Sequence, residues 1–200
     1  MSDVSVILWG LAGYLSGSVP YGLLLMKAAG LGDPRRMGSG NIGATNVLRH
    51  GTRPIAAATL LMDMLKGLAP VLAAGLWGGE MAALAAAAGA LVGHVFPLWL
   101  GFRGGKAVAT YIGVLGGLGW ALGLAFVAMW LFMAWWKRIS SLSALTATAL
   151  MPVAAWLLGA DGKIILFTIA AGALIFIRHH TNIRDLLRGE EETIKTRDDP

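Results

Sequence analysis

The chain has 200 residues, of which 56% are hydrophobic and 14% charged, with a mean hydropathy of +0.68. A soluble domain carries about 25% charged residues, so this chain has too little polar surface to face water on all sides. It has no cysteine, which excludes disulfides and thiolate metal sites, and its formal charge of +5 sits between apolar runs, where topology and an anionic substrate explain it better than nucleic acid.

The first apolar run covers residues 4–26. The residues before it hold no basic cluster, and no small-residue cleavage site follows, so the run reads as a retained span rather than a signal peptide. Four further runs, 54–77, 81–100, 139–158 and 164–177, are each read as a span. The stretch 107–136 is too long for one crossing, and Gly116, Gly117 and Gly119 interrupt it. Charge decides how it is read. Arg35, Arg36, Arg49 and Arg53 form one basic loop, Arg103 and Lys106 a second, Lys137 and Arg138 a third, and Arg178, Arg184 and Arg188 a fourth. The intervening loops hold Glu80, and Asp161 with Lys163. All four basic loops share the cytoplasm only if 107–136 crosses twice.

The sequence therefore predicts an all-α integral membrane protein of about seven short transmembrane helices, N-terminus outside and C-terminus cytoplasmic. Residues 1–187 form a single multi-span domain and 188–200 a charged, solvated cytoplasmic tail. Trp9, Trp77, Trp120 and Trp156 would mark the outer interface and Trp99, Trp135 and Trp136 the inner one; Trp130 fits neither. The alanine run 82–88 lets neighbouring helices approach closely. No alternating ten-residue strands occur, which excludes a β-barrel.

Three basic segments hold the groups that can do chemistry. The first reads DPRRMGSGNIGATNVLRHG, residues 33–51. Its GSGNIG matches the dinucleotide pattern G-x-G-x-x-G, but lies between apolar helices instead of after a strand, so that reading is rejected. Glycines such as Gly38 and Gly40 let backbone N–H groups converge on an anion. Ser39, Asn41, Thr45 and Asn46 add neutral hydrogen-bonding groups, and Arg49 adds a fork suited to phosphate. The bland alternative is a polar loop with glycine turns. The second segment, GFRGGKAVAT (101–110), fails as a Walker A loop because Ala107 follows Lys106. It either marks topology or sets Lys106 and the amides of Gly104 and Gly105 at a helix N-terminus, where anions bind.

The third segment, RHHTNIRDLL (178–187), sets His179 and Asn182 three apart on one helical face; it is either part of a site or an amphipathic interface helix. His180 and Asp185 form an H-x-x-x-x-D match, but five residues turn them about 140° apart on a helix, so the match is read as accidental. Asp63 and Lys66 lie inside a span, where ionisable residues are functional or paired. His94 reads as structural.

Together GSVPYG (17–22), DPRRMGSGNIGATNVLR (33–49), DMLKG (63–67), GHVFP (93–97), GGKAVAT (104–110) and RHHTNI (178–183) resemble the acyl-phosphate:glycerol-3-phosphate acyltransferases of bacterial phospholipid synthesis, over nearly the whole chain. The resemblance implies that the acyl group of a fatty acyl phosphate moves to the 1-hydroxyl of glycerol 3-phosphate. The products are 1-acylglycerol 3-phosphate (lysophosphatidate) and phosphate. It implies no cofactor and no metal, no direct use of acyl-CoA or acyl carrier protein, and a multi-pass enzyme of the bacterial cytoplasmic membrane with its active site on the cytoplasmic side. Carried over residue by residue, Ser39, Arg49, Lys106, His179 and Asn182 form the catalytic set. Gly38, Gly40, Asn41, Thr45, Asn46, Gly104 and Gly105 bind substrate. Ala107 stands where the family usually has glycine. Asp185 stands where it usually has a basic residue, and is given no role. The alternative is a membrane transporter of a small organic phosphate, but the polar residues gather at one face and no inverted repeat is evident.

Overall fold

The computed structural model describes residues 3–194. Among these residues the chain is helical, with no strand, so the all-α expectation holds.

The first apolar run is broken. Helix α1 (Asp3–Gly17) and helix α2 (Tyr21–Ala28) flank Pro20, which has no N–H to continue a helix. The carbonyl of Val19 in the break accepts from Lys66 Nζ at 2.7 Å, and Trp99 Nε1 donates to Ser18 Oγ at 2.8 Å. Lys66 also pairs with Asp63 at 2.6 Å, both side chains only 2% exposed. The ionisable pair inside the span is thus a neutralised staple for the break between α1 and α2.

A short 3-10 turn (Pro34–Arg36) and helix α3 (Ala44–His50) follow. Helix α4 (Arg53–Val95) has 43 residues. A straight helix of that length would span about 65 Å, twice the roughly 30 Å of a bilayer core. It is not straight. Gly79 takes φ +72° and ψ −173°, a conformation that glycine alone adopts cheaply. A Cβ built on Gly75 would lie 3.8 Å from the Cβ of Ala83, whereas residues eight apart in a straight helix are about 12 Å apart along the axis. The chain reverses at Gly79, and segments 53–78 and 80–95 form an antiparallel hairpin. The alanine run lies on its second arm, against α1. A Cβ on Gly17 would sit 2.1 Å from the carbonyl oxygen of Ala90, so the two backbones touch as small residues permit.

The long stretch after Lys106 reverses in the same way. Helices α5 (Val108–Leu118) and α6 (Trp120–Lys137) meet at Gly119. The rings of Tyr111 and Phe126 pack edge to face with centroids 5.4 Å apart; in one continuous helix they would be about 22 Å apart. Helices α7 (Ser140–Leu157) and α8 (Gly162–Arg178) follow. The last helix, α9 (His180–Arg188), bends from α8 by 64°.

By length and composition four segments can cross a membrane: Asp3–Ala28, Arg53–Leu100, Trp120–Lys137 and Ser140–Leu157. The bent pair α8–α9 would be a fifth, and α5 is a shorter apolar helix. The charge partition read from sequence is visible as proximity. Glu80 and Lys163 form an exposed ion pair at 3.3 Å, so the two weakly charged loops lie together. Arg49, Lys106, His179 and Asn182 line one cavity at the other end.

The described part of the charged end makes contacts with the rest of the chain. Glu190, Glu192 and Thr193 are exposed, and the segment 190–194 crosses back over the loops. Glu191 accepts from Ser141 Oγ at 2.6 Å and from Asn182 Nδ2 at 2.7 Å. The N–H of Ile194 donates to the carbonyl of Arg138 at 2.6 Å. The expectation for residues 195–200 lies outside the described residues.

Candidate active site

A cavity of about 320 Å³ lies between α3, α4, α5, α6, α7 and the corner of α8 and α9. Its lining is of two kinds: Ser39, Thr45, Arg49, Lys106, His179 and Asn182 are polar, and Leu60, Met64, Ile112, Val127, Trp130 and Leu131 are apolar. All five residues expected to be catalytic therefore share one cavity. Trp130, which fitted neither aromatic belt, is part of its apolar wall.

The polar part of the lining is cross-linked. Lys106 Nζ donates to Asn182 Oδ1. Asn182 in turn donates to Glu191. Thr45 and Ser140 share a hydroxyl–hydroxyl bond of 3.1 Å. Arg49 pairs with the Glu192 carboxylate at 2.6 Å. Burial holds the Lys106 ammonium below the usual lysine range; Arg178 and Arg49 push the same way, and Glu191 opposes them. A bound phosphate would act as Glu191 does, favouring the charged amine.

His179 caps α8 at the corner. Its Nδ1 lies 2.8 Å from the carbonyl of Ile175. A carbonyl only accepts, so Nδ1 carries the proton and Nε2 of the neutral ring offers a lone pair. Burial brings the imidazole down to about 4; its bond to Ile175 opposes this, and the Lys106 and Arg178 charges add to it. The ring is neutral at pH 7.

The glycines act differently from the sequence expectation. The amides of Gly104 and Gly105 donate to the carbonyls of Val95 and His94 at 3.0 and 3.1 Å. These two amides are bonded inside the fold. Their carbonyls are held by Arg178, which donates to Gly105 at 3.4 Å and to Gly104 at 3.2 Å. A Cβ on Gly104 would meet the His94 carbonyl oxygen at 2.0 Å, so glycine is needed here for close approach. The residue after Lys106 carries strain: Ala107 takes φ +64°, the left-handed region that costs an L-residue roughly 1–2 kcal/mol.

The first glycine loop is likewise closed on itself. The amide of Gly40 donates to Met37, and that of Ser39 to the Asn46 side chain. Asn46 Nδ2 bonds the carbonyls of Pro34, Met37 and Asn41 between 2.8 and 3.1 Å. Asn46 is thus a staple within the loop. Asn41, Thr45 and Asn46 line the cavity; Gly38, Gly40, Gly104 and Gly105 do not. Sequence reasoning missed Ser140, Ser141 and Glu191, which also line it. The run of three glutamates after Gly189 was the signal for the last. Among the described residues no group of three or more His, Asp or Glu is placed to hold a metal ion.

This chain matches the family model described as glycerol-3-phosphate acyltransferase over residues 7–189. The chain belongs to the glycerol-3-phosphate acyltransferase family.

Relatives agree along its length. A glycerol-3-phosphate acyltransferase of Mesorhizobium japonicum is 56% identical over 182 residues, covering 91% of this chain and 92% of its own. One of Methylorubrum populi is 57% identical over 182 residues, covering 91% and 89%. The fold is similar to crystal structures of PlsY, an integral membrane glycerol 3-phosphate acyltransferase. In its glycerol 3-phosphate form the TM-score is 0.90 at 34% identity, covering 94% of this chain and 95% of that one. In its lysophosphatidic acid form the TM-score is 0.88. This glycerol-3-phosphate acyltransferase is therefore an all-helical integral membrane enzyme of phospholipid synthesis, and the transporter alternative falls.

Proposed function

We propose that the acyl donor is a fatty acyl phosphate and that the reaction takes place at the polar side chains of the cavity. The observation that carries this is one cavity lined both by cationic, hydrogen-bonding side chains and by apolar ones, which suits a substrate with an anionic head and an acyl chain. Arg49 and Lys106 bind phosphate; Ser39, Asn182 and His179 position the reacting groups. Asn41 and Thr45 face the substrate. Gly38, Gly40, Asn46, Gly104 and Gly105 shape the two loops and set Lys106 in place. The 1-hydroxyl oxygen of glycerol 3-phosphate attacks the acyl carbonyl carbon. The bond from that carbon to the phosphate oxygen breaks, and the hydroxyl proton goes to the departing phosphate. The donor is already activated, so the enzyme's work is positioning two anions and offsetting their repulsion. The test is direct. Detergent-purified enzyme releases phosphate and forms lysophosphatidate from acyl phosphate and glycerol 3-phosphate, with neither acyl-CoA nor acyl carrier protein present. Product from acyl-CoA alone would overturn the donor assignment.

The proton acceptor is the leaving phosphate, not His179. A general base works best with a pKa near the working pH, and His179 lies well below it, at about 4. A phosphate ester's second ionisation, near pH 6, is closer to neutrality. Because burial and neighbouring cations depress the imidazole, it is already neutral above about pH 5 and adds no limb to kcat/KM between pH 5.5 and 8. We expect His179→Gln to retain the wild-type pH profile over that range with most of the activity. Loss of a titrating limb together with a fall of about a thousandfold, within the range a general base contributes, would reassign the base to His179.

We further propose seven crossings. Both hairpins cross twice, the N-terminus lies outside, and the site opens to the cytoplasm of a bacterial inner membrane. The segregation of basic loops supports this orientation. Cysteines placed at Glu80 and Lys163 are expected to label from outside intact cells, and those at Arg103, Lys137 and Arg188 are not. Outside labelling at Arg103 would overturn the orientation.

A further inference from the structure

The segment after α9 does more than end the chain. Gly189 closes the helix in a left-handed conformation, φ +72°, and turns residues 190–194 back across the polar mouth. The far end is pinned where the Ile194 N–H meets the Arg138 carbonyl at 2.6 Å. Between the two anchors the segment crosses Arg49. The guanidinium makes its ion pair with Glu192 at 2.6 Å and donates to the main-chain carbonyls of Glu192 and Thr193, each at 3.3 Å. The two glutamates differ. Glu191 points inward and ties Ser141 to Asn182. Glu192 ties to Arg49, and its side chain is 68% exposed while that of Arg49 is 17% exposed.

A carboxylate on a guanidinium makes the same charge-assisted, forked contact that a phosphate makes. We propose that Glu192 is an internal competitor for substrate phosphate at Arg49, so that residues 189–194 form a displaceable strap that sets the affinity of the site. The inference rests on Arg49 being a phosphate ligand. An exposed ion pair is weak, so substrate displaces it, and the strap raises KM without limiting turnover. When Glu192 leaves Arg49, the Glu191 bonds still hold the strap to Asn182 and Ser141, so the displacement is local to the outer edge of the mouth.

The test is Glu192→Gln in the full-length enzyme in detergent. The competing charge is lost, the exposed side chain keeps its size, and the fold is not at risk. KM for the phosphate substrate that Arg49 holds is expected to fall about 1.5- to 5-fold, the range that an exposed ion pair supports. The inhibition constant for inorganic phosphate is expected to fall by the same factor, with kcat unchanged. Both glycerol 3-phosphate and acyl phosphate are titrated, and the one whose KM moves is the one at Arg49. A strap with a merely structural role gives the opposite sign, since loosening it would disturb Asn182, raise KM or lower kcat. That result overturns the proposal. Arg49→Ala separates the two readings. If it raises KM and the phosphate inhibition constant while Glu192→Gln changes neither, the competitor is wrong and the phosphate site stands. If neither variant changes them, both readings fall.

Discussion

Lys106→Ala is expected to lower kcat/KM about ten- to 150-fold while the protein still inserts and folds. Hydrogen bonds to charged groups contribute roughly 1.5–3 kcal/mol, and each 1.4 kcal/mol is about tenfold. Lys106 is positioned for such a contact on both sides. Its loop is fixed by the Gly104 and Gly105 amides on α4 and by Arg178 on their carbonyls, and its own bond is to Asn182 in the cavity wall. Its ammonium is held below the usual range by burial, so a bound phosphate dianion repays that cost and the charge counts for more than on an open surface. Steady-state kinetics on detergent-purified protein, with the thermal transition as a control for folding, checks this. Wild-type kinetics in a folded variant would leave Lys106 with a role in topology only.

The larger stability effect is expected at Asp63. Asp63→Ala strands the Lys66 ammonium, only 2% exposed, with the Val19 carbonyl as its remaining hydrogen-bond partner. Breaking a buried ion pair from one side costs about 3–5 kcal/mol. For a chain of this size that lowers the thermal midpoint by roughly 6–20 °C. The paired change Asp63→Leu with Lys66→Met removes both charges, and such replacements are often neutral or better. It is expected to recover most of the lost stability. Asp63 also lines the cavity, so the double variant has a second use. A stable but inactive double variant would show that the pair serves catalysis as well as folding; an unchanged midpoint in Asp63→Ala would show that it serves neither the fold nor the α1–α2 break.

Much of this was legible from residue order because a membrane protein shows its folding rules openly. Apolar runs located the helices, and the alternation of basic and weakly charged loops correctly grouped Arg49, Lys106 and Arg178 at one end and Glu80 with Lys163 at the other. The interruption at Gly116, Gly117 and Gly119 correctly marked a reversal. What sequence could not show was competition for hydrogen-bonding groups over long range. The amides of Gly104 and Gly105 were free on paper, but the carbonyls of His94 and Val95 take them. The break at Ser18 to Pro20 was hidden in an apolar run because the lysine that satisfies it comes some 45 residues later, at Lys66. The glutamates after Gly189 read as solvated for the same reason: their partners, Arg49 and Ser141, lie far away in the chain.

That distance has a consequence for how the enzyme comes into being. Arg49 is made about 130 residues before His179 and Asn182. At a synthesis rate of about 5–20 residues per second, the early half of the mouth waits roughly 7–26 s for its partners. During that time the ribosome-bound chain already holds α1, both arms of α4 and the loop with Ser39, but no His179, no Asn182 and no Glu191. His179, Asn182 and Glu191, which complete the lining of the cavity, follow Lys106 by more than 70 residues. The polar wall in which Lys106 bonds Asn182, and Asn182 bonds Glu191, therefore closes only after translation has run well past α5.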